Sequence, residues 1–156
     1  MNKISKFLIS IVGSELVGLL STPFTIAAIP TWYATLNKPF FSPPNWIFGP
    51  VWTLLYFLMG YSFYLIWSQG WADKNVRLAA YYFFAQAGLN FAWSGLFFGL
   101  RSPLLGFIDI ILLMIAIILT IKIFYPISRW AAYLLIPYLL WVSFATILNF
   151  SIIVLN

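Results

Sequence analysis

Long apolar stretches, separated by charged residues and proline clusters, dominate the hydrophobic pattern of this chain. Five of them approach or exceed the about 20 residues that a helix needs to cross a bilayer. They run over residues 7–29, 46–67, 78–100, 104–121 and 130–155. Because a helix pairs its backbone polar groups internally, the pattern predicts an all-α integral membrane protein. Residues 1–156 would form a single domain, one bundle of five transmembrane helices.

The first apolar stretch permits a second interpretation, as a cleaved signal peptide. Lys3 and Lys6 give it a basic start, and Ala27–Ala28 are small residues of the kind found at cleavage sites. The stretch is longer than the apolar region of a signal peptide, and it contains Glu15. We therefore expect a retained transmembrane helix.

The composition agrees with a membrane location and excludes several kinds of catalytic and metal site. Hydrophobic residues make up 63% of the chain and charged residues 7%, with a mean hydropathy of +0.99. A soluble domain carries about 25% charged residues. The sequence has no His and no Cys, which excludes the usual zinc sites, thiolate nucleophiles and His-ligated haem. We expect no metal site and no required cofactor.

The basic residues predict how the bundle is oriented. Six of the eight lie on its amino-terminal side: Lys3, Lys6, Lys74, Arg77, Lys122 and Arg129. Because cytoplasmic loops are enriched in Lys and Arg, we expect a multi-pass protein of the cell membrane with a cytoplasmic amino terminus and the carboxyl terminus outside. The cations lie at separate helix ends and form no continuous stripe, so the expected partner is the lipid bilayer and not a nucleic acid.

The connection between the first two helices, residues 30–45, is unusually long, and we call it the lid. Loops of more than about 12 residues without secondary structure are usually functional or disordered. This one holds four prolines and four aromatic residues, which favours an ordered segment over a flexible linker. The alternative is an aromatic belt at the level of the lipid headgroups.

Small residues form a seam on one face of the third helix. At 100° per residue, its members fall within about 60° of one another. They are Gly88, Ala92, Gly95 and Gly99. Such a seam lets membrane helices approach closely, so its partner is either a neighbouring helix of the same chain or the second protomer of a homodimer.

Aromatic residues share a face with small or polar residues on three helices. The faces contain Trp52 and Tyr56 on the second helix, Asn90 and Trp93 on the third, and Trp141, Ala145 and Leu148 on the fifth. An aromatic stripe on one helix is most simply explained by bundle packing. Three such faces beneath an aromatic lid favour a pocket for a flat, apolar ligand.

Three polar residues within the predicted spans are candidates for function. The amide of Asn90 requires a partner in hydrocarbon, either another helix, water or a ligand. Glu15 and Asp109 are intramembrane acids, which are costly and default to functional candidates. The alternative is that both are protonated, hydrogen-bonded structural residues, or that Asp109 lies near the membrane edge.

In order and spacing, these residues resemble the translocator protein family, also called tryptophan-rich sensory proteins or peripheral benzodiazepine receptors. The resemblance is carried by Trp32-Tyr33, Leu36-Asn37-Lys38-Pro39, Pro43-Pro44-Asn45-Trp46, Gly49-Pro50-Val51-Trp52-Thr53-Leu54-Leu55-Tyr56, Asn90-Phe91-Ala92-Trp93-Ser94 and Pro137-Tyr138-Leu139-Leu140-Trp141. Animal members end in a sterol-recognition motif in which an aromatic residue precedes a basic one. Here Phe150 replaces the tyrosine and residues 130–156 contain no Lys or Arg, so we do not expect cholesterol binding by that motif. The chain is similar to a bacterial-type member.

The resemblance implies a fold, an assembly and a binding site. Family members have five transmembrane helices, are often homodimers, and bind porphyrins such as protoporphyrin IX and synthetic benzodiazepine-type or isoquinoline-type ligands beneath the first long loop. Carried over by position, the pocket would be lined by Tyr33, Trp46, Trp52, Asn90, Trp93, Trp141, Ala145 and Leu148.

Protoporphyrin IX would be the ligand or the substrate of this pocket. Lys38 and Arg101, on the side of the lid, are candidates to contact its two propionates; the alternative is that they anchor the protein at the headgroups. The resemblance also implies light-dependent porphyrin degradation. Trp52 and Trp141 are the candidate oxidisable catalytic indoles, because both face the inferred pocket from the second and fifth helices. Whether the chain is an enzyme stays open, because a transporter or exporter coupled to protons through Glu15 and a non-catalytic tetrapyrrole sensor are alternatives.

Overall fold

The computed structural model describes all residues from Met1 to Asn156 and contains helices joined by turns, without strands. The α-helices are α1 (Lys3–Ala28), α2 (Asn45–Trp67), α3 (Lys74–Ser94), α4 (Pro103–Phe124), α5 (Arg129–Leu134) and α6 (Ile136–Leu155). A 3-10 turn, Tyr33–Thr35, lies in the lid, and a π-helical turn, Gly95–Gly99, extends α3. The predicted all-α fold is confirmed.

Capping side chains, rather than hydropathy, fix where two of the helices begin. α1 begins at Lys3, where the side chain of Asn2 accepts a hydrogen bond from the first turn. α3 begins at Lys74, where Asp73 does the same. Each start lies four residues before the corresponding apolar stretch, because the first backbone N–H groups of a helix need an acceptor wherever one is available.

The third and fifth spans contain interruptions that hydropathy does not reveal. In the π-helical turn, the Leu100 N–H donates to the Gly95 carbonyl at 2.8 Å, and Arg101 then adopts a left-handed conformation with φ of 52°. The fifth span is divided into α5 and α6 at Leu135. Pro137 lies in the first turn of α6 and has no N–H to continue the hydrogen bonding of α5.

Four segments are long and apolar enough to cross a membrane: Lys3–Ala28, Asn45–Trp67, Pro103–Phe124 and Arg129–Leu155. α3 has 21 residues but is more polar, because it carries Gln86 and Asn90. These two side chains are only 1% and 3% exposed, and α3 packs against α1, α2 and α4. These two polar side chains in the middle of α3 therefore face the interior of the bundle and not the lipid.

The core of the bundle lies between α2, α3, α4 and the α5–α6 segment. The largest fully buried side chains of this core are Met59, Ile66, Leu113, Ile117, Phe124, Leu135 and Tyr138. On the outer face of α4, by contrast, Leu112 and Ile115 are about half exposed. An apolar exterior of this kind is what a bilayer requires, since lipid tails are as apolar as leucine.

Two glycines let α1 pack closely on α2. A Cβ atom on Gly60 would lie 2.7 Å from the backbone oxygen of Ser10, and one on Gly18 would collide with the ring of Tyr56. A larger residue at either position would force the helices apart. The close approach places the middle of α1 beside the aromatic face of α2.

The small-residue seam of α3 meets two different environments. A Cβ atom on Gly99 would lie 3.1 Å from the Phe24 ring of α1, and one on Gly95 would lie 4.0 Å from it. Gly88 is exposed, and a Cβ atom there would meet nothing within 4 Å. The Gly95–Gly99 end of the seam therefore packs on α1 of the same chain. The homodimer stays a prediction, and only the Gly88 end of the seam is open to a second protomer.

Candidate ligand-binding site

A cavity of about 660 Å³ lies among α1, α2, α3 and α6, directly beneath the lid. We call it the aromatic cavity, because the indoles of Trp52, Trp93 and Trp141 border it. Its other walls are mainly apolar, with a small number of hydroxyl, amide and carboxyl groups. Small-molecule sites typically have volumes of about 300–1,000 Å³ and this mixture of lining groups.

The structure brings seven of the eight residues proposed as ligand-binding from the sequence to this cavity. They are Tyr33, Trp52, Asn90, Trp93, Trp141, Ala145 and Leu148. Trp46 does not line the cavity, and its side chain is 72% exposed. The reason is helical geometry: Trp46 precedes Trp52 by six residues on α2, which turns its side chain about 120° away from the cavity face.

Pairs of aromatic rings build two walls of the cavity. On the α2 side, the Trp52 and Tyr56 ring centroids lie 5.5 Å apart. On the α3 side, Trp93 and Phe97 stack with their centroids 5.0 Å apart and their planes inclined by 19°. These distances are those of favourable aromatic pairs, so each wall presents a preformed aromatic surface to a ligand.

A chain of hydrogen bonds links three helices beside the cavity. The Tyr56 hydroxyl donates to Asn90 Oδ1 at 2.6 Å, and Asn90 Nδ2 donates to the Tyr138 hydroxyl at 2.8 Å. The Tyr138 hydroxyl in turn donates to Gln86 Oε1 at 2.8 Å. Asn90 therefore has the interhelical partners expected of a buried amide, and it also borders the cavity.

A second amide fixes the position of the Trp93 indole. Trp93 Nε1 donates to Asn149 Oδ1 at 3.2 Å, and Asn149 Nδ2 donates to the backbone oxygen of Pro103 at 2.8 Å. These two bonds connect α3, α6 and the start of α4. These bonds hold the indole in place, and its ring forms part of the cavity wall.

The two intramembrane acids occupy different places. Glu15 borders the aromatic cavity from α1, where a polar group of a ligand can reach it. Asp109 does not border the cavity; it is 5% exposed, and its Oδ2 atom has no hydrogen-bond partner. Of the two, Glu15 is the one placed to act on a ligand.

The two cations proposed for the propionates do not line the cavity. Lys38 Nζ lies 4.6 Å from the centroid of the Tyr33 ring and donates to the Leu36 carbonyl at 3.2 Å. Arg101 is exposed, just after the π-helical turn. Lys38 is thus one side chain away from the cavity, because Tyr33 itself borders it, whereas Arg101 lies at the surface.

The lid contacts the rest of the protein at two points, near its start and at its middle. Tyr33 is 3% exposed and packs against Phe98 with ring centroids 5.7 Å apart. Burial raises the pKa of its phenol above the ordinary value, and a hydrogen bond with Ser42 opposes this shift. Further along the lid, the Asn37 N–H donates to Asn156 Oδ1 at 3.0 Å, and Asn156 Nδ2 donates to the Asn37 carbonyl at 2.9 Å.

The amino-acid sequence matches the model of the TspO/MBR family over residues 9–155. The chain belongs to the TspO/MBR family. It is 52% identical over 154 residues to the Tryptophan-rich protein TspO of Archaeoglobus fulgidus, which covers 98% of both chains. It is 42% identical over 123 residues to the Translocator protein of Homo sapiens, 78% of this chain and 72% of the human one. With the Tryptophan-rich sensory protein of Cereibacter sphaeroides it shares 34% identity over 125 residues, 80% of this chain and 77% of that one.

In this TspO/MBR protein, α1 supplies a wall of the cavity that the sequence analysis did not identify. Besides Glu15, this wall includes Gly18, Thr22 and Thr25. These positions recur at spacings of three and four residues, which is the signal of one helical face. Gln86, one turn before Asn90 on the same face of α3, was also not predicted; it does not border the cavity but accepts the hydrogen bond of the Tyr138 hydroxyl beside it.

Proposed function

We propose that this TspO/MBR protein binds a metal-free porphyrin of the protoporphyrin IX type in the aromatic cavity and promotes its degradation in light and oxygen. Benzodiazepine-type and isoquinoline-type compounds would occupy the same cavity, because they are also flat and apolar. The observation that carries the proposal is the convergence of three indoles, Trp52, Trp93 and Trp141, on one cavity of about 660 Å³.

The lining suits a flat macrocycle that carries acidic substituents at one edge. The Trp52–Tyr56 and Trp93–Phe97 walls offer stacking surfaces for the ring system. Lys38 is the cation nearest to the cavity, and it can meet a propionate by leaving the face of the Tyr33 ring. The propionate edge would therefore lie toward the lid, with the apolar edge deeper among the helices.

The chemistry would come from the porphyrin, which absorbs light and activates dioxygen, the oxidant of the reaction. The protein would orient the ring between the oxidisable indoles of Trp52 and Trp141, which border the cavity from α2 and α6. The chain has no His and no Cys to ligate iron, which favours a metal-free tetrapyrrole over haem.

The experiment is a titration of the detergent-purified protein with protoporphyrin IX, first in darkness and then under light. Saturable quenching of tryptophan fluorescence reports binding, and loss of the porphyrin bands to one defined product, beyond the bleaching of free porphyrin, reports degradation. We expect Trp52→Phe and Trp141→Phe to slow degradation while Trp46→Phe, on the same helix as Trp52 but outside the cavity, does not. If both cavity variants degrade bound porphyrin at the wild-type rate, the catalytic role of the indoles is wrong.

Transport of the same ligand is a second candidate function, and the position of Glu15 favours it. This carboxyl group borders the cavity within the membrane-spanning part of α1, where it can bind and release a proton during a transport cycle. In proteoliposomes with a pH gradient, a transporter would lose porphyrin transport on Glu15→Gln and keep its affinity. Equal movement of porphyrin by wild type and variant would exclude this coupling.

We further propose the orientation given by the basic residues, with the amino terminus in the cytoplasm, and a homodimer that uses the Gly88 end of the α3 seam. The distribution of cations supports the first proposal, and the open space at Gly88 supports the second. Gly88→Leu would shift the protein from dimer to monomer in crosslinking and light-scattering measurements, whereas Gly49→Leu, also at an open glycine, would not.

A further inference from the structure

A second cavity, of about 460 Å³, lies at the opposite end of the bundle from the lid. It is bordered by α1, α2, α3 and the turn after α2, and Met59, Phe63 and Phe83 form its apolar inner wall, while the exposed side chains of Ile9 and Phe84 lie on its open side. It shares only helices, and no lining residue, with the aromatic cavity. The function proposed above makes no use of it.

Two hydroxyl groups of α1 interrupt the apolar lining of the second cavity. Ser10 and Ser14 both border it, and each is only 5% exposed. The Ser10 Oγ atom is buried and has no hydrogen-bond partner in the protein. A serine within a membrane helix ordinarily bonds back to a carbonyl one turn earlier, as Ser21 does with Val17 at 2.8 Å. Ser10 is therefore a free donor beside an apolar cavity.

Two indoles lie at the mouth of the second cavity, and a cation contacts one of them. Trp67 and Trp71 border the mouth, and Trp71 is 48% exposed, as is typical of residues at the membrane interface. Lys6 Nζ lies 5.6 Å from the centroid of the Trp67 ring and 3.5 Å from the Trp67 carbonyl oxygen. The Lys3 side chain lies on the preceding turn of α1, so α1 carries two basic residues at this end of the bundle.

The spacing between the cation and the free donor matches the chemistry of a phospholipid. Lys6 and Ser10 are four residues apart on α1, which separates them by about 6 Å along the helix axis. In a phospholipid, the acyl ester carbonyls lie a few ångströms deeper than the phosphate, because the glycerol unit joins them. A phosphate at Lys6 therefore places an ester carbonyl within reach of the Ser10 hydroxyl.

We propose that the second cavity is a binding site for one anionic diacyl phospholipid. Its phosphate contacts Lys6, an ester carbonyl accepts a hydrogen bond from the Ser10 hydroxyl, and an acyl chain fills the cavity past Gly13 and Ser14 toward Phe63. The indoles at the mouth pack against the glycerol region. The lipid stabilises the contact of α1 with α2 and α3, because it fills a space that these helices leave open.

The test is native mass spectrometry of the delipidated protein in detergent, supplied with equal amounts of dioleoylphosphatidylglycerol and dioleoylphosphatidylcholine. We expect one retained lipid per chain, with phosphatidylglycerol favoured about fivefold, since one lysine near a membrane surface contributes about 1 kcal/mol toward anionic lipid. Lys6→Gln removes this preference. Ser10→Ala weakens retention of both ester lipids about threefold. An ether-linked phosphatidylglycerol binds wild type and Ser10→Ala equally, because it has no carbonyl to accept a hydrogen bond from the Ser10 hydroxyl.

A cavity-filling variant and a matched control separate a specific site from general lipid contact. A Cβ atom on Gly13 would meet nothing within 4 Å, so Gly13→Phe fills the cavity and abolishes the retained lipid. Leu8→Phe adds the same aromatic ring on an exposed position of α1 outside both cavities and leaves retention unchanged. Both variants keep wild-type porphyrin titration curves, because neither position borders the aromatic cavity.

Several outcomes would overturn the proposal. Equal retention of the two lipids by wild type, with no effect of Lys6→Gln, would exclude headgroup recognition. Equal binding of ester and ether lipids by wild type would exclude the role of Ser10. Preferential displacement of phosphatidylglycerol by oleate would identify a fatty-acid site, and a dimer without retained lipid would show that a second copy of the chain covers the cavity.

Discussion

The Tyr138 hydroxyl is the centre of the hydrogen-bonded chain that joins α2, α3 and α6, and its removal tests whether this chain holds the bundle together. Tyr138 is fully buried, accepts a hydrogen bond from Asn90 and donates one to Gln86. Tyr138→Phe keeps the ring and removes both bonds. Because no water reaches this position, the amide groups of both partners are left without compensation.

The magnitude follows from the number of bonds and from their measured strength in membranes. Hydrogen bonds between transmembrane helices average about 0.6 kcal/mol and reach about 1.7 kcal/mol. Two bonds lost therefore predict a decrease of about 1–3 kcal/mol in the free energy of unfolding. Reversible unfolding of the protein in mixed micelles by increasing SDS fraction measures this quantity. Tyr81→Phe is the matched control, because Tyr81 is 71% exposed on α3.

A double-mutant cycle with Gln86 sharpens the prediction. The Nε2 atom of Gln86 is buried without a partner, so Gln86→Met removes an already unsatisfied group, and this gain offsets part of the cost of leaving the Tyr138 hydroxyl without its acceptor. In the Gln86→Met background, Tyr138→Phe should cost about one hydrogen bond less than in wild type. If Tyr138→Phe is as stable as Tyr81→Phe, or if its cost is the same in both backgrounds, the chain of hydrogen bonds does not stabilise the bundle as we argue.

Three further predictions test the packing of α1, the lid and the orientation. Gly60→Ala should lower the free energy of unfolding by about 1–3 kcal/mol, because its Cβ atom would meet the backbone of α1 at 2.7 Å. Gly88→Ala, at an open position, should be neutral or slightly stabilising. Unfolding by SDS measures the stability of both variants. Asn156→Ala removes the side chain that bonds to Asn37 and should speed amide hydrogen exchange in the lid without changing exchange in α2. Since the chain has no cysteine, single cysteines can be labelled in intact cells with an impermeant maleimide. Thr35→Cys in the lid should react and Ser68→Cys should not, and the reverse pattern would invert the proposed topology.

The sequence alone determined the membrane fold and much of the site's position. Apolar stretches of about 20 residues leave few alternatives to membrane helices, and all of the predicted spans fall on helices of the structure. Trp52, Asn90 and Trp141 were assigned to separate faces by the 3.6-residue period, and the structure brings them to one cavity. Residues on one face of a helix share an environment, which is why periodicity carries this information. That these residues bind a porphyrin stays a prediction.

Several features depended on contacts between helices and could not be read from any single one. The rotation of α2 excludes Trp46 from the cavity, although its position in the aligned motif suggested a role there. One end of the α3 seam contacts Phe24 and the other end is open, and this difference depends on how closely α1 approaches α3. Hydropathy is a sum along the chain, and it contains no term for the distance between two helices.

The tertiary structure also decided which polar groups have partners. Asn90, Gln86 and Ser10 look alike in the sequence, as single polar residues in apolar helices. Only the packing of α1, α2, α3 and α6 gives Asn90 two hydrogen-bond partners, leaves Gln86 with one, and leaves the Ser10 hydroxyl with none beside a second cavity. The sequence sets the number of hydrogen-bond donors and acceptors placed in the membrane. The distances between helices determine which of these groups form hydrogen bonds, and those distances are fixed by glycines and aromatic rings far apart in the chain.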